Sequence, residues 1–150
     1  MALPNETERR ISRLKSEAVL IGMRFGEASY DQKDGAWLHV PHFGMPQGWN
    51  TDTVGILIDV PWGTPGYPVV APQWFWTNRD LATNDGTSID HFFTGDRDPA
   101  YQSQGWGHFC VHLNDWKPAN GLSLRSGHSL LTYLNLIWTI FHDHGTLSRR

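Results

Sequence analysis

Residues 53–72 read TVGILIDVPWGTPGYPVVAP, and the fold turns on how this stretch divides. Thr53–Val60 is a short, β-branched, nearly all-apolar run closed by a proline, the pattern of a buried strand. Prolines then stand at 61, 65, 68 and 72. Each removes an amide donor and restricts the residue before it, so Pro61–Pro72 is ordered and non-helical but not a sheet centre.

Reading outward from there, Asn5 followed by Glu8 forms a capping-box-like start. Ile11, Leu14 and Ala18 recur at helical spacing and predict an amphipathic N-terminal helix to about Glu17. The apolar run Ala18–Phe25, stopped by Gly26, reads as a first strand. Trp37–Phe43 alternates Trp37, His39 and Pro41 against Leu38, Val40 and His42, and reads as a second. Gln73–Thr77 reads as one more short strand. Short connections favour an antiparallel meander. Asn78–Gln104 is polar, with turn signals at Asn84-Asp85-Gly86 and Gly95-Asp96, and a loop of that length inside a compact domain is usually functional. Ser129–Phe141 reads as a helix, apolar nearly all round and hence buried on most sides, which Gly145 stops. The order is α+β with segregated elements, in one domain over residues 1–150.

Composition sets the outer bounds. The chain has 150 residues, 39% of them hydrophobic, and a formal net charge of -3, so one core can form and no basic surplus exists to neutralise nucleic-acid phosphates. Met1–Arg10 is polar and lacks the apolar centre of a secretory signal. Leu130–Phe141 is about a dozen residues, where a bilayer span needs roughly 20. A cytoplasmic location, with no membrane and no nucleic-acid partner, is the expectation. A single cysteine excludes an internal disulfide and a cysteine-only zinc site.

That cysteine, Cys110, is either a small buried hydrophobe or a nucleophile. Gly105 and Gly107 precede it and permit a turn or close backbone approach. His108 and His112 flank it two residues away on each side, and Asp115 is near. In an extended segment all three side chains share a face, and an imidazolium beside a thiol favours the thiolate. His39 with His42 and the triplet His142-Asp143-His144 offer metal-ligand chemistry, but their spacing fits neither HExxH nor a paired-cysteine site. His142 and His144, placed just past a helix end, suit its dipole without a metal. No metal and no cofactor is expected. The tryptophans read mainly as core packing.

Two motifs carry a resemblance. A strand ending in proline and followed by Tyr67-Pro68 and Pro72 resembles the third strand and succeeding segment of ubiquitin-conjugating enzymes. Gly107-His108-Phe109-Cys110, followed by Trp116-Lys117-Pro118-Ala119 and an apolar helix, is similar to that family's active-site stretch. Their order and spacing agree over about residues 5–141.

The resemblance implies the ubiquitin-conjugating fold: an N-terminal helix, a four-stranded antiparallel meander and a crossing helix. It implies that Cys110 accepts a ubiquitin-like protein as a thioester from an activating enzyme and passes it to an amine, with lysine the expected acceptor. The His-Pro-Asn triplet usual before the cysteine is missing; the stretch reads Asp96-Arg97-Asp98-Pro99-Ala100. No pair of extra C-terminal helices follows the crossing helix. Both departures resemble the divergent prokaryotic branch, family E, in which a histidine after the cysteine stands in. That branch is bacterial and is associated with a ubiquitin-like protein, an activating enzyme and a metalloprotease. His128, at the start of the crossing helix, is the first choice for that histidine, to orient or deprotonate the amine, and His112 the second. Asn114, or backbone amides near Gly107, would serve the oxyanion, and the loop Asn78–Gln104 would shape the groove for the partner's tail. A non-catalytic module binding a ubiquitin-like protein, and a Cys–His hydrolase, are the competing readings.

Overall fold

The computed structural model describes residues 5–63, 65–86, 92–93, 105–111, 113–119 and 126–142. Helix α1 (Glu6–Phe25) opens the chain, and Asn5 caps it by accepting the Glu8 amide at 2.8 Å. Gly26, at φ 93, closes it by donating its backbone N–H to the Gly22 carbonyl. The strand expected at Ala18–Phe25 is therefore the second half of this helix. Leu14, Ala18 and Ile21 are buried on one side while Val19 and Met23 are exposed, which is helical and not alternating burial.

The strands are β1 (Ser29–Tyr30), β2 (Trp37–Gly44), β3 (Thr53–Asp59), β4 (Trp74–Asn78), β5 (Phe92–Phe93) and β6 (Trp106–Cys110), and helix α2 covers Leu130–His142. They form one antiparallel sheet in the order β1-β2-β3-β4-β6-β5. The fold is α+β as expected, and β1–β4 run as a meander. The strand count is corrected from four to six among the described residues, because the cysteine segment pairs with β4 and carries β5 outside it. In β2 the expected alternation fails at Pro41: the register with β3 shifts between Val40 and Phe43, so Phe43 turns inward and His42 is exposed.

Both helices cover one face of the sheet. Val40, Val54, Ile56, Ile58, Phe75 and Phe109 from the strands meet Leu14 and Ile21 of α1 and Leu134, Ile137 and Phe141 of α2 in a single core. Phe141 anchors the crossing, with edge contacts to Phe43, Trp49, Phe75 and Phe109 at 5.2–6.2 Å between centroids. The opposite face carries aromatic rings of its own. Trp76 there is buried, Trp106 lies over Gly55 and meets His39 edge-on at 5.8 Å, and a Cβ on Gly55 would stand 3.2 Å from the Trp106 ring. The tryptophans are thus less of a core than expected. Trp49 belongs to the core, whereas Trp62 and Trp138 are exposed. No helix among the described residues is long and apolar enough to cross a membrane.

Candidate functional site

Cys110 is the last residue of β6 and is partly exposed. Its register partner is Trp74 of β4, while Phe109 and Phe75 stack at 4.9 Å in the core. The thiol therefore points to the face opposite α2, alongside Trp106 and His108. His108 is buried there, stacks on Trp74 at 4.5 Å and lies tilted against Trp76 at 4.5 Å. Trp74 thus leans along the strand over His108, although it is paired opposite Cys110.

The backbone leaving Cys110 is held from two sides. The Val111 amide donates to the Gln73 carbonyl at 3.0 Å, and the Val111 carbonyl accepts the Tyr133 hydroxyl of α2 at 3.0 Å. Tyr133 is fully buried, and burial, then the nearby Cys110 and Asp59, hold its phenol well above the usual range, so it stays a neutral donor. The glycines before the cysteine divide their roles. Gly105, at φ 91, makes the turn into β6. Gly107 is buried in the ladder opposite Thr77 under the Phe92 ring, where a Cβ would clash at 2.4 Å. Close approach of Phe92 explains this glycine, and it stands in the sheet, away from the thiol's end of the strand.

The segment after the cysteine reaches back to the proline-rich stretch. Trp116 Nε1 donates to the Pro68 carbonyl at 2.7 Å, and the Trp116 and Tyr67 rings stand 6.1 Å apart. The two sequence motifs therefore meet in space, around a Tyr67–Pro68 bond that is cis. Behind them lies a polar junction that the sequence reading missed. Glu17 of α1, almost wholly buried, accepts the Tyr67 hydroxyl at 2.7 Å, the Arg13 Nε at 2.8 Å and the Leu130 amide at 2.6 Å, which caps α2. Burial raises the Glu17 carboxyl above its ordinary value, against the lowering effect of Tyr67, the Leu130 amide and Arg13. A glutamate four residues from an arginine in the apolar half of an amphipathic helix was the available signal.

His128 belongs to this junction. Its backbone amide donates to the Lys117 carbonyl at 2.7 Å, and its carbonyl accepts from Ala119 at 2.9 Å. Arg13 donates to the Ala119 and His128 carbonyls at 2.6 and 3.4 Å. On the ring, Nδ1 accepts the Lys117 amide at 2.9 Å, and the imidazole lies 5.4 Å from Trp116. Next to it, a Cβ on Gly127 would press to 2.7 Å on the Lys117 carbonyl, so only glycine lets these two segments touch. The chain is thus held on the cysteine side at Val111, by Gln73 and Tyr133, and on the His128 side at Lys117 and Ala119.

Other expected groups fall elsewhere. Asn114 sits exposed on a turn beside Asp115, whose φ is 56. His39 and His42 part at the irregularity in β2, and His42 pairs loosely with Glu27 at 3.5 Å. His142 is the last residue of α2, not beyond its end; its Nδ1 donates to the Trp138 carbonyl at 2.8 Å. No group of three potential metal ligands stands together among the described residues. His112, Asp143, His144, Gly145 and the stretch Asp96–Ala100 lie outside the described residues, as does most of the loop Asn78–Gln104.

An antiparallel sheet backed by a crossing helix, with a partly exposed cysteine at the end of β6 and Trp116 bonded to the proline-rich turn, fits the class of ubiquitin-conjugating-like proteins. Over residues 21–137 the sequence matches the prokaryotic E2 family E, and the chain belongs to that family. No curated protein and no solved structure matches it.

Proposed function

We propose that the protein accepts a ubiquitin-like protein from an activating enzyme as a thioester on Cys110 and transfers it to an amine. The observation that carries this reading is the junction of Trp116 with Pro68 beside a partly exposed cysteine, in a member of this family. The thiolate would attack the C-terminal thioester carried by the activating enzyme, whose own thiolate leaves. An amine would then attack the Cys110 thioester, forming the C–N bond as the C–S bond breaks, with the Cys110 thiolate leaving and the amine's proton passing to solvent.

His128 is best read as a donor in this reaction. A ring nitrogen that accepts a backbone N–H carries no proton, so the neutral imidazole holds its hydrogen on Nε2. That arrangement suits hydrogen-bond donation to a developing oxyanion better than removal of the amine's proton. His112 remains the alternative.

Incubation with activating enzyme, ATP and ubiquitin-like protein tests the proposal. A thiol-sensitive adduct on wild type, replaced by a stable ester in Cys110→Ser, is the expected result. No adduct with a competent activating enzyme overturns it, and hydrolysis without accumulation favours a Cys–His hydrolase. In His128→Ala, loading persists while discharge to lysine slows by about 10²–10³-fold; unchanged discharge removes His128 from the site.

A further inference from the structure

The helical layer contains a groove that the chemistry above does not use. Leu20, Met23 and Arg24 of α1 and Leu131 and Asn135 of α2 line it, and its volume is about 620 Å³. The two helices run in the same direction here, since Arg13 bonds the His128 carbonyl, Glu17 the Leu130 amide and Arg24 the Asn135 side chain. Leu20 and Arg24 are four residues apart and share a helix face, as do Leu131 and Asn135. The groove therefore has an apolar end, between Leu20 and Leu131, and a polar end about 6 Å further on, between Arg24 and Asn135.

The polar end holds an uncompensated charge. Arg24 Nε donates to Asn135 Oδ1 at 2.9 Å, and the guanidinium carbon lies 5.4 Å from the Phe25 ring centre. These contacts orient the fork without neutralising it, and its two terminal amino groups have no acceptor among the described residues. The nearby carboxylates are engaged or distant. Glu17 is buried with Arg13, Tyr67 and the Leu130 amide, and Glu27 pairs with His42. Glu6 and Glu8 stand at the far end of α1, about 24 Å or more along its axis, and α2 carries no acidic residue. The apolar side chains are left in solvent as well: Met23 is 80% exposed and Leu131 is half-buried. A guanidinium with open donors beside exposed aliphatic groups suits a carboxylate that has an aliphatic neighbour. A bare inorganic anion would leave the apolar end uncovered, and a purely apolar ligand would desolvate Arg24 without pairing it.

We propose that this groove docks an acidic segment of a partner protein, one presenting an aliphatic side chain and a carboxylate about 6 Å apart. The carboxylate pairs with Arg24 and accepts from Asn135 Nδ2, while the aliphatic side chain lies among Leu20, Met23 and Leu131. The groove is on the helix-covered side of the sheet and the Cys110 thiol on the other, so the surface serves recruitment and not the transfer step. It does not rest on the proposed conjugating activity.

NMR titration of the free full chain, labelled with ¹⁵N and with ¹³C-methyl methionine, tests this. The probe is the acetylated, amidated tripeptide leucyl-glycyl-glutamate, whose outer side chains fall on one side of an extended backbone about 6.6 Å apart. The Arg24 Nε–H, Asn135 side-chain amide and Met23 methyl signals shift saturably. Affinity falls about tenfold with the leucyl-glycyl-glutamine analogue and in Arg24→Gln. Met23→Ser, at an exposed position remote from the core, weakens binding several-fold and provides a second variant. Equal response to the glutamine analogue, an unchanged response in Arg24→Gln, or no saturable shift at the groove overturns the proposal. So does binding to phosphatidylglycerol vesicles in place of the peptide, which makes the groove a lipid contact. A concentration-dependent dimer abolished by Arg24→Gln seats a second copy there and overturns it too. None of these measurements needs Cys110 to load, so the docking surface and the conjugating activity fail separately.

Discussion

At the scale of single residues, the outer sheet face contains a titration that stability should report. His39 is partly buried against Trp106, and burial lowers its pKa below 6.5, only partly opposed by the Glu27 carboxylate and reinforced by His42. Above 6.5 the imidazole is neutral in both folded and unfolded chains. As pH falls below that, the unfolded chain takes up the proton first and is favoured, and stability is lost until the folded pKa is passed. His39→Gln is therefore expected to flatten the fall in melting temperature between pH 7.5 and 5, with little change at pH 8. Thermal unfolding across that range checks it; an unaltered acid limb removes His39 from the effect. The sequence exposed His39 as one of a strand's alternating residues, but its partner came from β6, and no local pattern links the two.

At the scale of elements, Gly127 decides whether the Lys117–Ala119 segment can close on His128. Its absent side chain brings the Lys117 carbonyl and Ala119 amide within bonding reach of His128. Gly127→Ala forces backbone apart, at a cost of about 1–3 kcal/mol in denaturant unfolding. Discharge of a Cys110 thioester should suffer more than its formation, since β6 is undisturbed; equal loss of both steps would place the defect elsewhere. Elements with strong local signals were legible: the proline-closed strand β3, the capped start of α1 and the apolar α2. The strand read at Ala18–Phe25 failed because that apolar run continues α1, and its exposed positions Val19 and Met23 are themselves apolar, so no polar stripe marks the helix there. β1 and β5 are too short to leave a pattern, since each has two residues. β6 reads poorly because Gly107 and His108 sit where strand formers are expected, each there for a packing partner distant in sequence.

For the whole molecule, Arg13 and Glu17 hold three segments at one point. Both side chains are nearly inaccessible, at 8% and 1% exposure, so removing the cation leaves a buried carboxylate with its desolvation uncompensated. Arg13→Met is expected to lose about 3 kcal/mol of stability at pH 7.5. Glu17 already titrates above its ordinary range, and without Arg13 it rises further. A raised carboxyl favours the folded state at low pH, so the deficit should shrink by pH 5. Urea unfolding at both values tests this; a pH-independent deficit would mean that Arg13 acts by packing alone. From the sequence, the family's motifs and the candidate cysteine within them were readable because each is contiguous. The junction that positions them was not, because its members come from α1, the proline-rich segment and α2.

The Glu17–Leu130 bond also bears on how the chain reaches its structure. Its two ends are 113 residues apart. The N-terminal helix can form locally within microseconds, yet its buried carboxylate finds its full set of partners only after nearly all the intervening chain is in place. Folding should therefore be slow for a protein of this size and close late, with the candidate site assembling in the same step that docks the last helix.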